Sequence, residues 1–201
     1  MYPLPFDPSS RGYRVRRTFG FLDLCGFTDF VDANGDDAGV GELRALRSAV
    51  REVAPMCGVR VDKWLGDGVM LVCVNGEPLV AATLAITRRC HSRLRLDVRA
   101  GIATGDVLLL EGDDYVGRSV NLASRLCDIA AHCEVLAAAD RLELPQGTEA
   151  EPVGELTVKG FADPVPVVAV HAHGWDNHEN LRSIVDRVMR PSPPAGGALP
   201  E

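Results

Sequence analysis

Lys63-Trp64-Leu65-Gly66-Asp67-Gly68 sets a cation and a carboxylate around a glycine turn, and its reading decides the architecture. The apolar segments on either side, 59–64 and 69–74, are joined by Gly66-Asp67-Gly68, which predicts a β-hairpin. Glycine on both sides of Asp67 lets the backbone turn sharply and lets a ligand come close. The chain uses arginine freely but holds only two lysines, Lys63 and Lys159. An ammonium is a compact charge on a flexible stem and a guanidinium a planar fork, so a lysine kept in this turn points to a need for the former. An acidic hairpin tip with no ligand fits the same six residues.

Working outward, residues 18–24 form a nearly continuous apolar run, the pattern of a buried strand, and Gly26-Phe27-Thr28 turns the chain. Residues 35–41 have turn chemistry, after which Leu43, Leu46, Val50 and Val53 recur at helical spacing up to Pro55. Pro78 opens a second helix that turns Val80, Leu84 and Cys90 inward. Residues 96–110 read as one long or bent strand interrupted by Gly101 and Gly105, and 116–131 as a third helix. Further strands are expected at 134–137, 153–158 and 165–170. This order predicts an α+β fold, a ferredoxin-like, largely antiparallel sheet with helices packed on it. The expected organisation is a flexible arm over 1–16, one folded domain over 17–173, and a partly disordered tail over 174–201 with a short amphipathic helix near Leu181.

Length and composition set outer limits. A chain of 201 residues with 46% hydrophobic and 24% charged residues is an ordinary globular protein with room for a substantial core. Its net charge of -7 argues against nonspecific nucleic-acid binding, although local cations or a divalent metal can reverse the field inside one cleft. The six cysteines show no C-x-x-C pair and no histidine spacing of a zinc motif. Reduced core thiols in a cytoplasmic protein are the expectation. No apolar run approaches the ~20 residues needed to span a bilayer, and the N-terminus lacks the apolar core of a signal peptide.

Several polar residues stand where chemistry is possible. Asp23 ends an apolar strand, where a carboxylate is costly to bury unless it is paired or binds a metal. If its strand neighbours the hairpin, Asp23 and Asp67 share a crevice, and Mg²⁺ accepts such a carboxylate pair together with phosphate oxygens. The alternative is a turn cap at Asp23 and a plain turn residue at Asp67. Asn121 and Arg125 lie on one face of the third helix, suited to an anionic, oxygen-rich ligand or to an ordinary surface hydrogen bond. Asp114 precedes that helix and either accepts from an exocyclic amine or helps cap the helix. Lys159 ends a strand at a glycine turn, in reach of a phosphate or simply solvated.

Taken together, four blocks in order resemble the catalytic domain of class III nucleotidyl cyclases, the adenylate/guanylate cyclase family. Phe21-Leu22-Asp23-Leu24-Cys25-Gly26-Phe27-Thr28 looks like the family's strand-end metal motif, and Lys63-Trp64-Leu65-Gly66-Asp67-Gly68-Val69-Met70 is similar to its hairpin. Arg99-Ala100-Gly101-Ile102-Ala103-Thr104-Gly105-Asp106-Val107 resembles its central strand. Gly117-Arg118-Ser119-Val120-Asn121-Leu122-Ala123-Ser124-Arg125-Leu126 resembles the helix that carries its transition-state residues.

The resemblance implies that Asp23 and Asp67, with the Leu24 carbonyl, hold two divalent cations, Mg²⁺ or Mn²⁺. It implies that Lys63 and Asp114 read the purine. Donation to a ring nitrogen and acceptance from an amine match adenine, so ATP is the expected substrate and cyclic AMP the product. Asn121 would orient the ribose, Arg125 would meet phosphate charge in the transition state, and Lys159 would bind phosphate. In this family the metal half and the base-reading half of each site come from different subunits, which implies a homodimer with two shared sites. The segment between Val107 and Gly117 is short, implying a reduced dimer-facing arm. A guanylate cyclase and a catalytically silent, nucleotide-binding regulatory domain are the alternative readings.

Overall fold

The structure, a computed structural model, describes residues 13–110 and 114–172. In chain order the elements are β1 (Tyr13–Leu24), α1 (Phe27–Asn34), α2 (Asp36–Met56), β2 (Arg60–Leu65), β3 (Gly68–Cys73) and α3 (Gly76–His91). They continue with β4 (Val98–Leu109), β5 (Tyr115–Val116), α4 (Arg118–Ile129), β6 (Val135–Ala138), β7 (Thr148–Leu156) and β8 (Val165–Ala172). The strands form one eight-stranded sheet in the order β2-β3-β1-β4-β6-β8-β7, with β5 paired to the end of β4. Among the described residues only β4 and β6 run parallel. The α+β, antiparallel-rich architecture expected of the sequence is the one formed.

Strand alternation assigns each residue a face. On β1, Leu22 and Leu24 point to one side and join Val69 and Leu71 of β3 in a core closed by Leu46, Val50 and Val53 of α2 and Leu79 and Ile86 of α3. Phe19 points to the other side, with Met70, Val72, Ala103 and Val107, against Leu122, Ala123 and Leu126 of α4. Burying each Leu, Ile or Phe contributes roughly 1.5–3 kcal/mol over leaving it exposed. Helix α4 packs over β4, β1 and β6, so among the described residues no helix covers β2 and β3 on this second face.

The structure departs from the sequence expectations in several respects, among them helix α1 directly after Gly26, where only a turn was expected, and strand β5 at the expected start of the third helix. Residues 13–16, expected in the arm, extend β1 and pair with 106–109 of β4, because both strands run for twelve residues. Residues 35–41 are not a loop: α2 begins at Asp36, and only Gly35 separates it from α1. Gly39 is there for packing, since a Cβ on it would lie 2.6 Å from Val31 Cγ2 of α1. Gly101 and Gly105 likewise seat α4 on β4 rather than bend the strand. A Cβ at Gly101 would lie 2.2 Å from both the Ala123 oxygen and the Cys127 nitrogen. Finally, β7 spans Thr148–Leu156, earlier than the expected 153–158. The tail and its expected helix near Leu181 lie outside the described residues.

Candidate active site

Asp23 stands next to last in β1, paired with Gly68 of β3 on one side and Arg99 of β4 on the other. It is half-buried, and Arg99 answers it: Nη2 and Nε donate to Asp23 Oδ2 at 2.8 and 3.2 Å. The same guanidinium uses Nη1 to reach the Asp128 carbonyl at the end of α4, 2.8 Å away. Hydrogen bonding to Asp23 holds the Arg99 guanidinium above its ordinary pKa.

Asp67 occupies the β2–β3 turn, after Gly66 at φ 67°, and is half-buried. Burial, and after it the negative charge of Asp23, pushes the Asp67 carboxyl above the usual carboxylate range, against the pull of its own backbone amide and of Arg99. The two carboxylates therefore feel one another. Gly68 makes this possible, because a Cβ there would lie 2.8 Å from the Leu22 oxygen and 3.2 Å from Asp23 Oδ1. An oxygen-only donor pair with mutual repulsion fits a hard divalent cation of the Mg²⁺ or Mn²⁺ class. Leu24, the expected backbone ligand, follows Asp23 directly, its side chain buried in the opposite core.

Lys63 lies opposite Met70, on the same face as Asp23. Its ammonium forms an ion pair with Asp114, both side chains being exposed. That hydrogen bond raises the Lys63 pKa. Tyr115 anchors the neighbouring backbone. Its ring stacks edge-on to Phe19 at 5.3 Å and 68°, and its hydroxyl accepts from Arg60 Nη2 at 3.1 Å. The structure thus puts Lys63 and Asp114, both named in the sequence analysis, in direct contact.

Asn121 and Arg125 both lie on the exposed side of α4, while Leu122, Ala123 and Leu126 face the sheet. Arg125 Nη1 meets Asp128 Oδ2 at 3.0 Å, an exposed pair one helical turn long. Asp128 therefore links the helix to the strand end: its carboxylate holds Arg125 and its carbonyl holds Arg99. Lys159 is exposed in the turn after β7, whose strand forms the sheet edge opposite β2. Arg118 over the Phe161 ring, at 4.2 Å, ties that turn to the start of α4. Sequence reasoning assigned no role to Arg99 or Asp128. The available signal was Arg99 itself, a guanidinium opening an apolar strand, which is costly unless paired.

With this strand order, paired acidic strand ends on one face and a polar helix beside them, the chain is similar in fold and in sequence to class III adenylyl/guanylyl cyclase catalytic domains. The crystal structure of the adenylyl cyclase CyaB from P. aeruginosa is similar at a TM-score of 0.70 and 27% identity, covering 82% of this chain and 97% of that one. An uncharacterised protein of Mycobacterium tuberculosis is 39% identical over 153 residues, 76% of this chain and 40% of that protein. An adenylate cyclase of Streptomyces coelicolor is 35% identical over 123 residues, 60% of this chain and 32% of that enzyme. The chain spans well under half the length of these curated relatives. No family model matches the sequence. Among the described residues no helix is long and apolar enough to cross a membrane.

Proposed function

We propose that this chain is an adenylate cyclase, converting ATP to 3′,5′-cyclic AMP and pyrophosphate at two sites shared across a twofold homodimer. The observation that carries the reading is the convergence, on one sheet face, of the Asp23–Asp67 carboxylates and the Lys63–Asp114 pair. Asp23, Asp67 and the Leu24 carbonyl would hold two divalent cations. When bound, such ions supply charge neutralisation for a triphosphate and acidify a hydroxyl.

The remaining roles belong to the side chains. Lys63 donates to a purine ring nitrogen and Asp114 accepts from an exocyclic amine, the adenine pattern, which guanine reverses at its carbonyl. Their ion pair keeps both groups poised when no base is present. Asn121 orients the ribose, while Arg125 exchanges its weak surface partner Asp128 for phosphate oxygens. Lys159 adds a cation for the phosphates.

Dimer formation has its own support. Among the described residues no helix covers the site face of strands β2 and β3, where Leu65 is 45% exposed. A second copy related by a twofold axis would cover this face in both chains at once. The decisive measurement is nucleotide turnover by the purified chain with ATP or GTP in Mg²⁺ or Mn²⁺. Cyclic AMP from ATP, with little product from GTP, is expected; no cyclic nucleotide with either metal overturns the reading.

A further inference from the structure

Away from the nucleotide site, three chain segments meet at a second cluster. His91 ends α3, Asp97 precedes β4, and His132-Cys133 link α4 to β6. His91 Nδ1 lies 3.0 Å from Asp97 Oδ1, Cys133 Sγ lies 3.0 Å from the same oxygen, and Cys133 Sγ lies 3.3 Å from His91 Nδ1. His132 Nδ1 approaches the other oxygen, Oδ2, at 3.4 Å. Cys133 holds this position with φ 58°, a left-handed backbone uncommon outside glycine.

Hydrogen bonds alone account for two of the three edges, both ending on Asp97 Oδ1. The thiol brings one proton and His91 Nδ1 at most one, so two protons must serve three mutual contacts. Whichever tautomer is chosen, one edge has no proton to share. A cation among the three donors satisfies all of them at once. Tetrahedral coordination with metal–sulfur near ~2.3 Å and metal–nitrogen or metal–oxygen near ~2.0–2.1 Å implies donor separations of about 3.3–3.6 Å, so the three donors, 3.0–3.3 Å apart, would open by roughly half an ångström or less around an ion.

We propose that His91, Asp97 and Cys133 form a binding site for a divalent transition-metal ion of the Zn²⁺ class, with water completing the coordination. Thiolate and imidazole select a borderline-soft ion, whereas the oxygen-only Asp23–Asp67 pair selects a hard one, so the two sites take different metals. An entry path exists, for His91 and Cys133 line a cavity of about 250 Å³ with Leu84, Thr87, Val135 and His171. The ion acts as a staple. The Asp97 carbonyl accepts the Cys25 N–H at 2.9 Å, so fixing Asp97 also fixes the junction of β1 and β4, two residues from both Asp23 and Arg99.

The test uses the full chain, freed of metal and titrated with Co²⁺ alone. A thiolate-to-cobalt charge-transfer band saturating at one equivalent per chain is expected, and Zn²⁺ should displace it. Cys133→Ser, checked for native far-UV circular dichroism, should lack the band. His91→Gln, which keeps the thiol, should weaken Co²⁺ binding by more than the ~10–100-fold typical of losing an outer-shell partner. Zn²⁺ should raise the unfolding temperature of the wild-type chain and leave that of Cys133→Ser unmoved. A folded wild-type chain with no such band, or a band of equal strength in Cys133→Ser, overturns the proposal. None of these readouts depends on cyclase activity.

Discussion

Arg99 holds Asp23 by one carboxylate oxygen only: Nη2 and Nε both donate to Oδ2, while Oδ1 faces Gly68 in the hairpin that carries Asp67. In the isolated chain the negative charge of the strand end is thus compensated by a guanidinium. A metal ion at Asp23 and Asp67 would take over part of that role.

Arg99→Gln should therefore destabilise the metal-free chain by roughly 1.5–3 kcal/mol, the usual worth of a hydrogen bond to a charged group. Millimolar Mg²⁺ should recover more stability in this variant than in the wild type. Urea unfolding with and without Mg²⁺ checks it, and equal Mg²⁺ effects on both chains would show that Arg99 does not compete with the ion.

Asp67→Asn should remove cyclic AMP formation by on the order of 10²–10³-fold, the scale of losing one group that stabilises transition-state charge. Its effect on stability should run the other way. The Asp67 pKa is raised in the folded chain, so the folded state holds that proton more tightly than the unfolded state. Stability in EDTA is then greatest below the ordinary carboxylate range and falls as pH rises through the raised value. Asp67→Asn should flatten that decline in a urea-unfolding series.

Shared sites predict complementation. Asp23→Ala and Asn121→Ala chains, each inactive alone, should regain turnover when mixed, because one of the two sites in a mixed dimer keeps both intact halves. Recovery is read as cyclic AMP after mixing, alongside proof of mixed dimers by mass. Mixed dimers without activity would argue that each chain builds its own site.

The Lys63–Asp114 pair predicts a change in specificity with little change in fold. Lys63→Ala and Asp114→Ala should each lower kcat/KM for ATP by about 10–100-fold, the kinetic equivalent of one charge-assisted hydrogen bond. The preference for ATP over GTP should narrow. Because both side chains are exposed, thermal stability should stay at the wild-type value. An unchanged nucleotide preference would remove these two residues from base recognition.

Gly101→Ala tests the packing that carries the site. The added methyl would meet α4 backbone atoms 2.2 Å away, which cannot yield as a flexible side chain would. A loss at or above the upper end of the ~1–3 kcal/mol typical of overpacking is expected, with a Tm lower by about 2–4 °C per kcal/mol. Differential scanning calorimetry reads it directly.

Much of the fold is legible in the sequence. The run ending at Asp23, the hairpin around Gly66-Asp67-Gly68 and the helical repeats each encode their element locally, through a period of two or of 3.6. Glycine misled where its use was non-local. Gly39, in a segment that reads as loop, sits inside α2 to let α1 approach, and Gly101 makes room for a helix rather than for a bend. Nothing in a single segment distinguishes those uses from a turn.

The sequence by itself determined which residue types stand on which strands and helices: one carboxylate at a strand end and one at a hairpin tip, a lysine on the hairpin, an amide and a guanidinium on one helix face. Tertiary structure alone decided which of them meet. Arg99 reaches Asp23 across 76 residues, Lys63 reaches Asp114 across 51, and His91 reaches Cys133 across 42. Spacing constrains neighbours only along one element. Partners brought together by strand order and by the face each side chain takes carry no local periodic mark, so they become visible only once the sheet is assembled.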